Sequence, residues 1–476
     1  MARIWSLILM YWFSVGLTMA QDSLFILSQE RFVGMVLQYH PVIRQSELIL
    51  ETGEYRLKKA RGNFDPYLYS YLDEKQFEEK EYFSLLGTGL KVPTWVGVDV
   101  RFGYDRNGGI YLNPENILPE NGLLYGGISV PLGEGLIIDE RRKVVRQAQL
   151  FSQYTRVEQT RILNDLLLNA LEGYWNWVRA YNQLLIYREF IDLALERFDG
   201  IRENFEQGEI PAIDTLEAFI QVQNRKIGEN QSFIEFQKAT LELSNYLWFE
   251  NDIPLEISDG LVPPDMEEMV PHEALSIENL NSVLQDIENN HPELKLYEYK
   301  LADLQIEQRW KKEKIKPTVN INYNFLNEAR YPDQEGFGFN NYKWGFEFSM
   351  PLLFRSEIGD LRLTQIKLKE AEFGRSQKSL EIVNKVLVYY RQLQNLSDQE
   401  TLYDENVINY ERLLQGERKK FEAGESSLFL INSREVSFID ARIKQMDVKT
   451  KTRITHLSYF WASGILLNEF TGDPAL

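Results

Sequence analysis

The hexapeptide His40-Pro41-Val42-Ile43-Arg44-Gln45 has a near-twin far down the chain, His291-Pro292-Glu293-Leu294-Lys295-Leu296. The chain has only 4 histidines, and these two each precede a proline that opens a charged, helix-like run. A metal site or a catalytic pair is one reading; a building block present twice is the other. Aligning the two runs places Ile43 on Leu294, Arg44 on Lys295, Glu47 on Glu298, Leu50 on Leu301 and Pro66 on Pro317 without a gap. Proline suits the first position of a helix and pushes the residue before it out of the helical region, as a cap requires. His40, Pro41, His291 and Pro292 therefore read as equivalent helix caps of a repeat.

The rest of the chain keeps the same order twice. After Pro66, "YLYSYLDEKQF" alternates in the manner of a strand, and so does "TVNINYNFL" after Pro317. Alternating runs then end in Pro131-Leu132 and Pro351-Leu352, and Arg142 and Arg362 follow at equal distances. Deeper still, Phe205, Gly208 and Glu209 fall on Phe421, Gly424 and Glu425. The organisation predicted is a leader over 1–20, a first repeat over 21–250, a linker over 251–273 rich in proline and acid, and a second repeat over 274–476. The first repeat places strands near 67–77 and 122–132, a long helix over 139–204 and a turn over 205–213. The second places strands near 318–326 and 343–353, a long helix over 356–420 and a turn over 421–429. Ser28 and Ser276 read as caps of short leading helices.

Composition narrows the function classes. Residues 1–20 have a cationic Arg3, an apolar run from Ile4 to Leu17 and small residues at Thr18 and Ala20, the layout of a cleavable export signal. No later stretch is apolar enough for a spanning helix, and a charged fraction of 26% is too high for a bundle of membrane helices. The absence of cysteine excludes disulfides, thiolate metal sites and a lipid-modified N-terminal cysteine. A net charge of −19 argues against nucleic-acid binding, which needs dense basic surface. No Gly-rich phosphate loop, Ser-centred elbow or His-containing metal motif is present, and His272 and His456 lack a ligand-spaced partner. No catalytic residue, metal or cofactor is expected.

Lengths and periods point to an architecture. The long helix of the first repeat would extend roughly 100 Å, far beyond a compact domain. Two medium helices stacked end to end would nearly match it. Leu167, Ala170, Tyr174, Trp177, Tyr181 and Leu184 follow one helical face, and Leu171, Val178 and Leu185 widen the stripe, which suits a helix with neighbours on both sides. Four short strands cannot bury themselves as isolated hairpins. Their alternation is that of a barrel wall with one face to lipid and one to the lumen, and so few strands close a barrel only when several chains contribute. The fold class expected is mainly α with a small β portion.

Two features leave alternatives open. The first outer loop is longer than its counterpart by about 30 residues and contains "TWVGVDVRFGYDR" (94–106), which also alternates. A third spanning strand would leave the chain on the wrong side of the membrane. This segment is thus expected to be a non-spanning extracellular or rim strand, unless one of the flanking runs is not a barrel strand. Basic residues also collect near the strands, at Arg56–Arg61, Arg141–Arg146 and Arg309–Lys316. They would complement helix dipoles or meet anionic headgroups, and the dipole does not account for the cluster at a helix N-terminus.

This ordered duplication resembles the TolC-type outer-membrane efflux channel family over essentially the whole chain beyond the leader. The resemblance rests on the signal peptide, the two His-Pro helices (typically Asn-Pro in the family), the runs ending in "VPL" and "MPL" and the two Gly turns. It implies a homotrimer sharing an outer-membrane β-barrel, four strands per chain, continued by a long periplasmic α-helical coiled-coil barrel. It further implies docking of a periplasmic adaptor protein on the tips at Phe205, Gly208, Glu209, Phe421, Gly424 and Glu425, and service to an inner-membrane pump. The family's arginine before the tip glycine is replaced here by Asn204 and Lys420. Acidic residues that often narrow the closed end fall on Leu430 and Ser433 in the second repeat, whereas the first has Asp214 and Glu217 there. Either Asp214 and Glu217 build the constriction, or Leu428, Phe429 and Leu430 form an apolar plug. A periplasmic hydrolase with paired carboxylates and a pore-less coiled-coil scaffold are the rival readings. The scaffold would explain the helices but not the alternating strands.

Overall fold

The computed structural model describes residues 25–257, 260–264, 266, 277–329 and 340–471. The leader over 1–20, the Ser276 cap and part of the 251–273 linker lie outside them. Along the chain come β1 (Phe25–Ile26), α1 (Gln29–Tyr39), α2 (Pro41–Arg61), β2 (Tyr67–Phe77), β3 (Lys80–Pro93), β4 (Asp99–Gly108) and β5 (Leu123–Pro131). Then follow α3 (Glu140–Glu206), α4 (Ala212–Ser244), β6 (Trp248–Phe249), β7 (Ile253–Pro254) and β8 (Leu261–Val262). The remainder is α5 (Ile277–Asn290), α6 (Pro292–Glu313), β9 (Thr318–Glu328), β10 (Tyr342–Ser349), α7 (Arg355–Glu422), α8 (Leu428–Ala462) and α9 (Leu466–Thr471). Chain contacts divide into two compact units, one of residues 1–40, 169–274 and 393–455 and the other of 41–168, 275–392 and 456–476.

The first unit is helical, with two short strand pairs, β1 with β8 and β6 with β7. Ser28 caps α1 by accepting from the Arg31 N–H at 3.3 Å. The apolar stripe of α3 forms the core here, where Ala170, Leu171, Tyr174, Trp177, Val178 and Leu184 are all buried. Polar groups on that stretch are satisfied: the Tyr174 hydroxyl donates to the Leu27 carbonyl at 2.9 Å, Trp177 Nε1 to Thr240 Oγ1 at 3.0 Å, and Asn182 Nδ2 to the Val178 carbonyl at 2.8 Å. Leu185, on the widened edge of the stripe, is exposed.

The second unit holds one six-stranded antiparallel sheet in the order β10-β9-β5-β4-β3-β2. The four strands expected from the alternating runs are β2, β5, β9 and β10, and two more lie between the first pair. The 94–106 segment supplies β4, but not as a lone third strand. β3 accompanies it, so the chain crosses the sheet twice more and returns to the side it left. The turn between β2 and β3 holds Glu78 and Glu79 at φ 51° and 59°, the double left-handed geometry that matches strand twist in a two-residue hairpin.

Register sorts the side chains by face. Leu68, Leu90, Phe102, Gly126, Phe325 and Tyr342 stand in one cross-strand row, and Val92, Val100, Ile128, Tyr323 and Trp344 in another. The opposite face carries Lys91, Arg101, Gly127, Asn324 and Lys343 in one row and Asp99, Ser129, Asn322 and Gly345 in the next. One face is thus apolar across the sheet and the other polar. The outer edges of β2 and β10 have no strand partner among the described residues.

The basic residues at the start of α3 have partners within the chain. Arg141 Nη1 binds Asp99 at 2.8 Å, and Arg142, itself buried, donates from its backbone N–H to Asp139 at 2.8 Å and from its guanidinium to the carbonyls of Leu136 and Gly135. Lys143 pairs with Glu307 at 3.2 Å and lies 3.6 Å over the Trp310 ring. This corrects the expectation of a headgroup collar at 141–146 for these residues: they fasten β4 and α6 to the start of α3.

Candidate functional site

The helical turns at 207–211 and 423–427 are built identically. Gly208 and Gly424 take φ 78° and 76°, a left-handed conformation that glycine enters without a Cβ penalty. The Gly208 N–H donates to the Phe205 carbonyl and the Glu209 N–H to that of Asn204, both at 2.9 Å. The Gly424 N–H donates to Phe421 at 2.9 Å and the Glu425 N–H to Lys420 at 2.8 Å. These paired bonds satisfy the last carbonyls of each long helix and reverse the chain within a few residues.

Beneath the turns lies a small apolar cluster of Ile201, Ala218 and Leu428, flanked by Phe198, Ile210 and Phe421. Leu428, a candidate for an apolar plug, is therefore a core residue at 5% exposure, whereas Phe429 is 67% exposed and Leu430 38%. Asp214 sits in the first turn of α4, where an acid complements the helix dipole. Glu217, one turn on, accepts from Asn432 Nδ2 at 3.1 Å and so joins α4 to α8. Phe205 stands out at the end of α3, with Glu209 exposed beside it and Glu425 in the matching turn.

A charged cluster that the sequence reading missed holds these helices together. Glu435 on α8 is 1% exposed and binds Arg197 of α3, with Arg225 of α4 at 3.7 Å and Arg418 of α7 at 3.8 Å. One carboxylate thus meets guanidinium groups from three other helices. Burial lowers the pKa of Arg225, opposed by the Glu435 charge. Nearby, Glu417 accepts from the Ser426 hydroxyl at 2.6 Å and faces Arg434 at 3.8 Å. No local pattern marks Glu435, whose partners lie on other segments.

The His-Pro residues do not form a site. In the first unit the His40 ring stacks on Tyr246 at 6.1 Å and meets Trp248 edge-on, while the His40 backbone N–H donates to the Val36 carbonyl at the end of α1. In the second unit His291 caps α6: Nδ1 accepts from the Glu293 N–H and Nε2 lies against the Ala462 carbonyl, both at 3.2 Å. Since Nδ1 accepts, the ring proton resides on Nε2 and is donated to Ala462. Gly464, at φ 77°, ends α8 against this cap; a Cβ there would stand 2.6 Å from Pro292 Cδ. No cluster of histidine and carboxylate groups among the described residues could hold a metal ion.

The exposed side of α4 carries a further regularity. Ile213, Ile220, Ile227, Ile234 and Leu241 recur every seventh residue and are all exposed. A strict seven-residue apolar repeat keeps these side chains along one side of a supercoiling helix, and no helix among the described residues buries them.

Comparison with known proteins agrees with this geometry. Residues 283–458 match the family described as outer membrane efflux protein. No curated protein sequence matches the chain. Among solved structures, the CmeC outer membrane channel of Campylobacter jejuni superposes with a TM-score of 0.62 at 12% identity, covering 92% of this chain and 85% of that one. The open-state MtrE outer membrane channel of Neisseria gonorrhoeae gives 0.63 at 13%, over 91% and 88%. The outer membrane protein VceC of Vibrio cholerae gives 0.62 at 12%, over 91% and 95%. Residues 283–458 are thus similar to the outer membrane efflux protein family, and the chain has the fold of these solved outer membrane channels.

Proposed function

We propose that the protein is a passive conduit of the outer membrane, a homotrimer that receives substrate from an inner-membrane pump through a periplasmic adaptor and releases it outside. The observation that carries this reading is the sheet. Its apolar face holds exposed Leu68, Leu72, Phe102, Trp344, Phe346 and Phe348, which a soluble protein would cover. Its open edges present unpaired backbone groups that lipid cannot satisfy, so the sheet must close with copies of itself. The seven-residue apolar seam on α4 supplies the matching requirement for a neighbouring chain along the helices. A coiled-coil scaffold confined to the periplasm could use the seam, but it has no need of the sheet's exposed apolar face.

In this reading the turns at Gly208 and Gly424 dock the adaptor, with Phe205, Glu209 and Glu425 presented to it. Asp214, Phe429 and Leu430 are available to line a constriction; Leu428 and Glu217 are occupied in joining helices. The decisive experiment is reconstitution of the purified protein into planar bilayers, with its mass measured in detergent. Trimers that insert as conducting units are expected. A monomer that leaves the bilayer electrically silent would overturn the proposal.

A further inference from the structure

The longer outer loop of the first repeat is a hairpin of unusual reach. β3 has 14 residues and β4 has 10, against roughly 9–11 needed for a tilted strand to cross a bilayer. The hairpin begins at the Glu78-Glu79 turn and comes back to the helical side of the sheet. There Asp99, opposite Pro93, is held between Lys91 at 2.9 Å and Arg141 at 2.8 Å, and Trp95 packs on Phe64 with ring centroids 5.3 Å apart. A loop lying outside the membrane would have no reason to be fastened to the first turn of α3.

Both faces of the hairpin continue the faces of their neighbours. Leu90 and Phe102 extend the apolar row from Leu68 to Phe325 without a break in register. On the polar face, Gly89 and Gly103 leave room for the rings of Tyr69 and Tyr125, whose hydroxyls meet at 2.5 Å over the two strands. A Cβ on Gly89 would stand 2.7 Å from Tyr69 Cζ. The tyrosines of the flanking strands thus coat the inner side of β3 and β4.

From this geometry we infer that β3 and β4 both cross the membrane, so that each chain contributes six strands and the trimer closes an eighteen-stranded barrel whose apolar face meets lipid acyl chains. This inference rests on the trimeric channel reading. The edges β2 and β10 run in opposite directions, so copies join antiparallel and the strand number stays even, as an up-and-down barrel requires. Barrel diameter grows roughly linearly with strand number, so this wall is about half again as wide as one built from four strands per chain. Barrels of about 16–18 strands enclose a water-filled lumen, here lined by Lys91, Arg101, Asp105, Asn322, Asn324 and Lys343. The exit therefore suits bulky, hydrated cargo.

The natural absence of cysteine makes a direct test simple. Spin labels are placed singly at Leu90→Cys, Phe102→Cys, Arg101→Cys and, on an undisputed strand, Phe346→Cys, in the full-length protein in phosphatidylcholine–phosphatidylglycerol vesicles. Collision with oxygen reports lipid, and collision with a water-soluble nickel chelate reports solvent. Labels at 90, 102 and 346 should favour oxygen, and the label at 101 the chelate. If 90 and 102 favour the chelate while 346 favours oxygen, the hairpin lies outside the membrane and the eighteen-stranded wall is wrong. If 346 also favours the chelate, the channel reading itself fails. Native mass spectrometry supplies the second factor: three copies give eighteen strands, and any other number refutes the count.

Discussion

The cap at His291 makes a pH-dependent prediction whose size follows from its geometry. Burial lowers the pKa of this ring; the Glu293 charge and the Ala462 carbonyl oppose the shift, and Lys385 and Lys378 reinforce it. Arg161 and Asp165 complete the charged surroundings. Protonation would add a hydrogen to Nδ1, the atom that accepts from the Glu293 N–H at 3.2 Å, and the cap bond would be lost. Because the folded state holds the lower pKa, the unfolded segment binds more protons once the pH falls below about 6.5. The stability contributed by the cap is therefore complete above that pH and declines as the pH drops toward the folded value. The slope cannot exceed about 1.4 kcal/mol per pH unit, or tenfold in the local opening constant. Hydrogen exchange reads this at the Leu294 and Lys295 amides, which both bond the His291 carbonyl at 3.0 Å. Corrected for intrinsic rates, opening at pH 5.5 should exceed that at 7.5 by no more than about tenfold. Asparagine retains a capping oxygen without a titratable ring, so H291N should abolish the pH dependence. Alanine should lose about 1 kcal/mol at pH 7.5 and less at 5.5, where the wild-type cap is itself weakened. Unchanged pH dependence in H291N, or tighter protection in acid, would refute the assignment.

Other perturbations test the helices. Removing the carboxylate with E435A leaves Arg197, Arg225 and Arg418 facing one another, and breaking a buried pair in this way typically costs about 3–5 kcal/mol. Limited proteolysis should then cut readily near the 204–213 and 420–430 turns, and wild-type resistance in the variant would contradict the clamp. I227D combined with I234D places charge in the exposed seven-residue repeat, and light scattering in detergent should show the proposed trimer dissociating. A trimer that persists would mean the seam lies elsewhere. G424A must hold alanine at φ 76°, which costs about 1–2 kcal/mol and should speed exchange locally at the end of α7. G416A, inside the same helix with open space around it, should instead stabilise by about 0.5–1 kcal/mol; equal effects from both would show that backbone conformation is not the cause.

The elements that could be read in advance are those with a period. Alternation marked β2, β5, β9 and β10, and the three-and-four spacing marked the α3 stripe, because burial on one face imposes a local rhythm on the residues that share it. The duplication was legible for the same reason, as spaced prolines and glycines that satisfy backbone geometry wherever the segment is placed. The seven-residue run on α4 is equally present in the chain, as four isoleucines and a leucine at one heptad position.

β3 was different. Its glycines at 87 and 89 interrupt the alternation, and only the tyrosine rings lying over them explain why a strand forms there. The basic cluster at 141–143 looked like a surface collar until Asp99 and Glu307 were seen beside it. Leu428 looked like a plug and is core; Glu435 looked like any helix acid and gathers three arginines. By itself, then, the amino-acid sequence determined the duplication, the long helices and four strands of the wall, since each follows from backbone preference and periodic burial within a short window. Tertiary structure alone decided that the sheet has six strands and which charges are partnered, since those depend on residues brought together from distant parts of the chain, and no local pattern records the partner.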